Sequence, residues 1–245
     1  MSSLVETAVQ GRMLRVWLNR PDKRNALNAE LCRALTETLE AADGDDSVHS
    51  ILLAGRGKSF CAGMDLEEAA AGDSEEVNRL HERLFTIGSR LTKPLVGAVH
   101  GASFGGGAGV VANCHIVVAA EDAEFGLTEI RLGLWPFLIY RAVAEALGDR
   151  RTLELALTGR ILKAADAREL GLVHHVEQDY QEKASKLAET LAAASPAAIR
   201  GGMRYRREAR GKDWTTAGEI ARKSRNEVFQ SREFQEALAR FLKKS

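Results

Sequence analysis

The sequence is short of proline, aromatics and cysteine, and it has no net charge. Four of its 245 residues are proline, yet 45% are hydrophobic, which excludes a globally disordered chain. Basic and acidic residues balance at 34 each, so a dedicated nucleic-acid binder, which would carry a strongly basic surface, is excluded. No apolar run approaches the roughly 20 residues that cross a bilayer. The start, MSSLVETAVQGRMLRV, lacks the basic-then-apolar order of a secretory leader. A cytoplasmic protein with no membrane partner is therefore expected. Cys32, Cys61 and Cys114 are odd in number, and none pairs at zinc or redox spacing. They are expected to be reduced, mostly buried thiols, with no metal site.

Charge is distributed unevenly. Residues 196–245 hold 13 Lys and Arg against 6 Asp and Glu, whereas residues 1–195 hold 21 against 28. Such a shift marks a separate unit, either a set of solvated helices or a basic edge near a polyanion or an acidic neighbouring subunit.

Residues 12–18 alternate, with Leu14, Val16 and Leu18 on one face, and read as a strand. Asn28 is a cap for a helix carrying Leu31, Leu35 and Leu39. Residues 48–54 read as a buried strand, followed by a loop over 55–73. Ser74 then caps a helix with Val77, Leu80, Leu84, Ile87 and Leu91 on its apolar face. Short strands follow at 95–99 and 116–119, separated by a glycine cluster and a small-residue helix. Helices at about 138–147, 150–157 and 163–170 are each closed by a glycine. A last strand spans 172–176, and everything from 179 onward is helical. The fold class is α/β, with a core over 1–195 and a helical C-terminal region over 196–245.

Three motifs fall short. Gly57-Lys58-Ser59 resembles the end of a phosphate-binding loop, but Leu52 stands where its first glycine belongs. The run Gly105 to Gly109 is a partial dinucleotide fingerprint, with Val110 in place of the final glycine. Gly101-Ala102-Ser103-Phe104-Gly105 matches a nucleophile elbow in full. It keeps a serine hydrolase, with Ser103 and His174 or His175, as an alternative from another class.

Two glycine-containing loops, Ser59–Leu66 and His100–Gly107, each follow a strand. Glycine lets backbone approach a ligand, and a loop that opens a helix leaves amides unpaired. Two such loops can aim two N–H donors at one oxygen, an arrangement that stabilises an oxyanion. Glu129 supplies a carboxylate in the apolar stretch Phe125–Leu134. Desolvation there would raise its pKa and let it exchange protons near neutral pH, unless it is a surface acid paired with Arg131.

These segments together resemble the enoyl-CoA hydratase/isomerase (crotonase) family. The resemblance rests on Asn19-Arg20-Pro21 with Asn25-Ala26-Leu27, the Phe60–Leu66 and Gly101–Gly107 loops, Phe125 to Gly133, Leu157-Thr158-Gly159, and Ala164 to Val173. It implies a spiral of ββα turns, C-terminal helices that assemble a homo-trimer or hexamer, and an acyl-CoA substrate. Coenzyme A would enter as part of that substrate, with no separate cofactor. By position, the amides of Met64 and Gly106 would hold the thioester oxygen. Ala62, Asp65 and Leu66 would lie against the adenine end of CoA, and Lys23, Arg24 and Ala26 would form a CoA-contacting loop. Lys243 and Lys244 could approach the CoA phosphates from a neighbouring subunit. Met64, Trp135 and Phe137 are candidates for the acyl pocket.

One position departs from the family. Its two-glutamate hydratases carry an acid where this chain has Gly109. One carboxylate is enough to move a proton and shift a double bond. Hydration of a 2-enoyl thioester is narrowly favoured on resemblance, with 3-to-2 isomerisation close behind on mechanism. A non-catalytic acyl-CoA-binding member is the remaining alternative.

Overall fold

Two sheets of unequal size carry the molecule, described for residues 3–72 and 74–243 in a computed structural model. The larger sheet begins with β1 (Val5–Gln10), paired antiparallel to β2 (Met13–Leu18). No alternation at 5–10 announces β1, because four of its six side chains are exposed at the sheet edge. After a 3-10 turn at Pro21–Lys23 comes α1 (Ala29–Gly44), whose first turn is capped by Asn28 accepting from Leu31 N–H.

β3 (Ser50–Gly55) follows, buried at every residue. The expected loop at 55–73 contains a short helix, α2 (Leu66–Ala70); Asp73 lies outside the described residues. The helix begun at Ser74 is interrupted. It runs as α3 (Glu75–Phe85) and, after Thr86, as α4 (Ile87–Arg90). The cause is a backbone approach: a Cβ on Gly88 would sit 2.1 Å from the Asn113 carbonyl, and Asn113 Oδ1 accepts from Gly88 N–H.

β4 (Leu95–Val99), β5 (Ala102–Phe104), α5 (Gly106–Asn113), β6 (Ile116–Ala119) and β7 (Glu124–Gly126) follow. A second 3-10 turn covers Glu129–Leu132. Next come α6 (Phe137–Leu147), α7 (Asp149–Thr158), β8 (Leu162–Lys163) and α8 (Ala164–Leu170). The strand expected over 172–176 shrinks to β9 (His175–Val176), since Leu172 and Val173 pack into the core ahead of it. The chain ends in α9 (Tyr180–Ala193), α10 (Pro196–Ala209), α11 (Trp214–Phe229) and α12 (Arg232–Leu242).

The large sheet has the order β1-β2-β3-β4-β6-β9, parallel from β2 onward, and the small one β5-β7-β8. Its central strands are buried on both faces, as parallel strands usually are. Met13, Leu52, Val96, Ala98 and Val118 face α9, whose alanines 184, 188 and 192 recur every four residues and let the helix sit close. Val16, Ile51, Leu53, Val99 and Val117 face the other way, into the main core with α1, α3 and α5. Gly201 lets α10 approach Val228 of α11, and Arg200–Asp46 and Arg210–Glu145 ion pairs tie α10 to the body.

Candidate active site

The two glycine loops meet edge to edge. Phe60 N–H donates to His100 O, Cys61 N–H to Ala102 O, and Phe104 N–H to Cys61 O, so residues 60–61 form a short parallel bridge with β5. On the other side Leu27 N–H donates to Gly63 O and Asp65 N–H to Leu27 O. Those two bonds flank Met64 and turn its amide away from Leu27. Gly63 (φ 103°) and Gly105 (φ 50°) each precede one of the amides of interest. Their left-handed backbone swings Met64 N–H and Gly106 N–H out of the ladders. Gly105 N–H is itself bound to Gly126 O at 2.8 Å, whereas the Met64 and Gly106 amides have no acceptor among the described residues.

Contact between the loops leaves no room for side chains. A Cβ on Gly63 would lie 2.6 Å from Phe104 O and 3.7 Å from Gly106 N; one on Gly107 would lie 2.0 Å from Cys61 O. Beneath them Asn25, fully buried, locks the approach of the preceding turn. Its Oδ1 accepts from Arg20 N–H, and its Nδ2 reaches the carbonyls of Arg56, Ser59 and Phe60 at 2.9–3.1 Å. The sequence offered Asn25 only as part of a motif; its left-handed φ of 55°, which asparagine tolerates better than most residues, is why that type stands there.

Glu129 opens the 3-10 turn after β7, and its carboxylate reaches back to the second loop. A Cβ on Gly105 would sit 3.0 Å from Glu129 Oε1. Oε2 is buried with no hydrogen-bond partner among the described residues. Burial pushes the Glu129 carboxyl above the usual carboxylate range. The expected alternative, a surface pairing with Arg131, does not form. Among the described residues no ion pair involves Glu129.

Met64, Gly106 and Glu129 line one cavity of about 540 Å³ with Asp65, Trp135 and Phe137. The rest of its wall includes Leu27, Glu68, Asn78, His81, Phe85, Leu134 and Ile139. Sequence reading missed the contribution of α3, because Asn78, His81 and Phe85 sit at helical spacing that also describes a core face. Phe137 is 79% exposed, so it stands at the rim.

The remaining predicted residues are placed less directly. Gly109 is buried on α5, outside the lining; a Cβ there would sit 2.4 Å from Ile139 Cγ2 and 3.2 Å from Phe85 Cδ1. Hydrocarbon therefore occupies the place of a second acid. Asp65 caps α2 and pairs with Arg20 at 2.5 Å, and that guanidinium holds its carboxyl below the usual range. Lys23 pairs with exposed Glu67, Arg24 has a left-handed φ of 51°, and Ala62 N–H donates to Arg24 O. Ala26 is half-buried and Leu66 is exposed. Lys243 follows α12 and is exposed; Lys244 lies outside the described residues.

Ser103 forms no nucleophile elbow. It sits in the middle of β5, fully buried and away from the cavity lining. An elbow needs its hydroxyl exposed at a strand-to-helix turn. His174 Nδ1 is occupied accepting from Val117 N–H. All three cysteines are buried, and burial pushes the Cys61 and Cys114 thiols up to about 12. Among the described residues no His, Cys, Asp and Glu cluster could hold a metal.

The sequence model of the enoyl-CoA hydratase/isomerase family matches residues 9–245. The chain belongs to that family. It is 37% identical over 212 residues to the enoyl-CoA hydratase EchA19 of Mycobacterium tuberculosis, covering 81% of this chain and 78% of that protein. It is 30% identical over 218 residues to the mitochondrial Delta(3,5)-Delta(2,4)-dienoyl-CoA isomerase of Rattus norvegicus, covering 81% and 67%. An enoyl-CoA hydratase structure from Mycobacterium smegmatis superposes with a TM-score of 0.94 at 29% identity, covering 98% and 96%. The fold is the crotonase fold, an α/β spiral with a helical C-terminal region, and the chain is an enzyme of the hydratase/isomerase class.

Proposed function

We propose that the enzyme acts on an unsaturated acyl-CoA thioester, with the Met64 and Gly106 amides at the thioester oxygen and Glu129 as the one proton carrier. Charge builds on that oxygen as an enolate forms, so both amides bind the transition state more strongly than the substrate. Coenzyme A enters with the substrate, and no separate cofactor takes part.

The observation that carries this reading is Glu129 itself. It is a half-buried carboxylate with an unbonded oxygen, on the same cavity as two amides without acceptors. Glu129 takes a proton from C2, beside the polarised carbonyl, and returns it to C4, which moves the double bond from C3–C4 to C2–C3. The hydrocarbon packed at Gly109 favours this isomerisation, because a two-carboxylate grip on water has no second acid there. Hydration of a 2-enoyl thioester is the second reading, favoured by the hydratase names of relatives.

Incubation with 2-enoyl-CoA and 3-enoyl-CoA esters, following double-bond position and water addition, separates the two. Glu129→Gln should lower kcat by about 10³-fold, within the usual range for a lost acid–base group, while CoA-ester binding persists. Unchanged turnover in that variant would remove Glu129 from the mechanism. Labelling of Ser103 by a fluorophosphonate would reinstate the hydrolase, and tight ester binding without turnover would point to a non-catalytic member.

The C-terminal helices support an assembly role for residues 196–245. Trp214, Phe241 and Leu242 are exposed there, Trp214 at 95%. Burying such side chains against a second copy is one use of exposed apolar groups, and a trimer or hexamer is the proposed state. Among the described residues no helix is long and apolar enough to cross a membrane. A cytoplasmic site of action is part of the same proposal.

A further inference from the structure

A second cavity, of about 620 Å³, adjoins the first. Its walls come from α4, the C-terminal half of α5, α6 and α10. Among the described residues Phe85 and Leu138 alone line both cavities, so these two side chains form the partition between them. The Phe85 backbone is pinned to α5. Its carbonyl accepts from Asn113 Nδ2 at 2.8 Å, and the same side-chain amide donates to Gly109 O at 2.9 Å. The Phe85 ring lies along one turn of α5: a Cβ on Gly106 would meet its Cζ at 3.2 Å, and one on Gly109 would meet its Cδ1 at 3.2 Å. Leu138 stands in the first turn of α6 and is 40% exposed.

The two sides of the partition differ in character. On the side of Glu129, Ile139, Leu134 and Trp135 continue an apolar wall, and among the described residues no lysine or arginine reaches it. On the far side stand Arg141, Arg206 and Arg210, with Glu145 paired to Arg141 and Arg210. An alkyl chain gains free energy by leaving water for apolar surface. Past the partition it would instead strip water from charged groups, which is costly. The ring also stands close to the Gly106 amide, so it meets the acyl chain near the reacting carbons rather than at the cavity mouth.

We propose that Phe85 and Leu138 are chain-length determinants, and that the substrates are thioesters whose acyl chain ends before this partition. This inference rests on the thioester reading above and deepens it to a substrate class. A chain too long for the first cavity has to displace a ring whose backbone is pinned by Asn113, or else leave apolar contact. In a hydrophobic pocket a single misfitting methylene changes specificity by about 10- to 200-fold, so the limit should appear as a step and not as a gradual decline.

The test uses straight-chain CoA esters from butenoyl to hexadecenoyl. The parent, Phe85→Leu, Leu138→Ala and Leu138→Phe are compared by kcat/KM with the unsaturated esters, and by calorimetric Kd with their saturated, unreactive counterparts. In the parent both measures should worsen at least tenfold at one point along the series. Phe85→Leu and Leu138→Ala should move that step to longer chains, and Leu138→Phe should move it to shorter ones. Leu138→Ala trims a partly exposed side chain, so it keeps the test usable if Phe85→Leu does not fold. A parent that binds butanoyl and hexadecanoyl esters alike, or a step that stays in place in the Leu138 variants, overturns the inference. If the step appears in Kd and moves as expected but no ester is turned over, the inference stands and the proposed reaction fails instead. If no ester binds at any length, the thioester reading falls and takes this inference with it.

Discussion

The two ends of the cavity are made of different material. One end is backbone: two loops pressed together through Gly63 and Gly107, each presenting an amide. The other end is side chain: faces of α3 and α6 that present Asn78, His81, Phe85 and Ile139. The backbone end can vary little, because any Cβ at its contacts strikes a carbonyl. The side-chain end can change residue by residue without moving a main-chain atom. Chemistry is thus fixed by close approach, and selectivity is written where substitution is tolerated.

The sharpest way to break that contrast is Gly107→Ala. Its Cβ would fall 2.0 Å from Cys61 O and 3.0 Å from Cys61 C, so the nearest obstacle is backbone. Overpacking a rigid site costs about 1–3 kcal/mol and more where nothing can yield. Loss of the folded state, or of at least about 3 kcal/mol in urea unfolding, is expected, with activity lost alongside. A stable, active Gly107→Ala enzyme would mean that the loops are not in contact.

Asn25→Ala comes next. It removes the group that joins the 20–26 turn to the carbonyls of Arg56, Ser59 and Phe60, and it leaves those acceptors buried. Unsatisfied buried groups cost about 1–3 kcal/mol, so a loss near the top of that range is expected in the same unfolding assay. Turnover should fall further than stability, since the turn carries Leu27, whose backbone brackets Met64.

The same contrast explains what could be read from the sequence. Glycine clusters after strands stand out, so two loops that close on each other and an acid at Glu129 in an apolar stretch could be read from the residues, while the particular amides of Met64 and Gly106 came only with the family resemblance. Caps at Asn28 and Ser74 fixed two helix starts, because side-chain oxygens accept from N–H three residues on. The edge strand β1 was not legible, since an exposed edge has no buried alternation. Nor was the break at Thr86, which depends on Asn113 approaching Gly88 from a distant helix. The α3 wall stayed hidden for a related reason: a cavity face and a core face share one period. The elbow match at Ser103 could go no further than an alternative, because five residues specify a local pattern but not which side of β5 meets solvent.

Gly109→Ala probes the boundary between the two ends. A methyl there meets Ile139 Cγ2 at 2.4 Å and Cβ at 2.8 Å. Alanine in a helix interior gains about 1 kcal/mol over glycine, and the clash costs about 1–3 kcal/mol. Net destabilisation of about 1 kcal/mol is expected by thermal or urea unfolding. In an Ile139→Ala background the Cγ2 contact is gone while the Cβ contact at 2.8 Å stays, so Gly109→Ala should cost less than it does in the parent. If the two substitutions are additive, Ile139 is not what fills that position, and the argument against a second acid weakens.

The smallest expected effect is on stability, in the variant that destroys activity. Burial raises the Glu129 pKa in the folded protein, so ionising this group opposes folding. The stability that belongs to its protonated form is fully present below the unfolded-state value, near the ordinary glutamate range, and is lost as pH rises through the higher folded-state value. The neutral amide of a Glu129→Gln protein does not ionise and has no such loss. That variant should therefore unfold at higher temperature than the parent at pH 7, and the gap should close as pH falls below about 4.3. Part of the folding free energy is spent to keep a buried carboxylate oxygen without a partner on the cavity of two unbonded amides, as expected where an enzyme trades stability for a reactive group. A variant no more stable than the parent at pH 7, or a gap that widens in acid, would show that Glu129 is solvated or paired, and the site would lose its proton carrier.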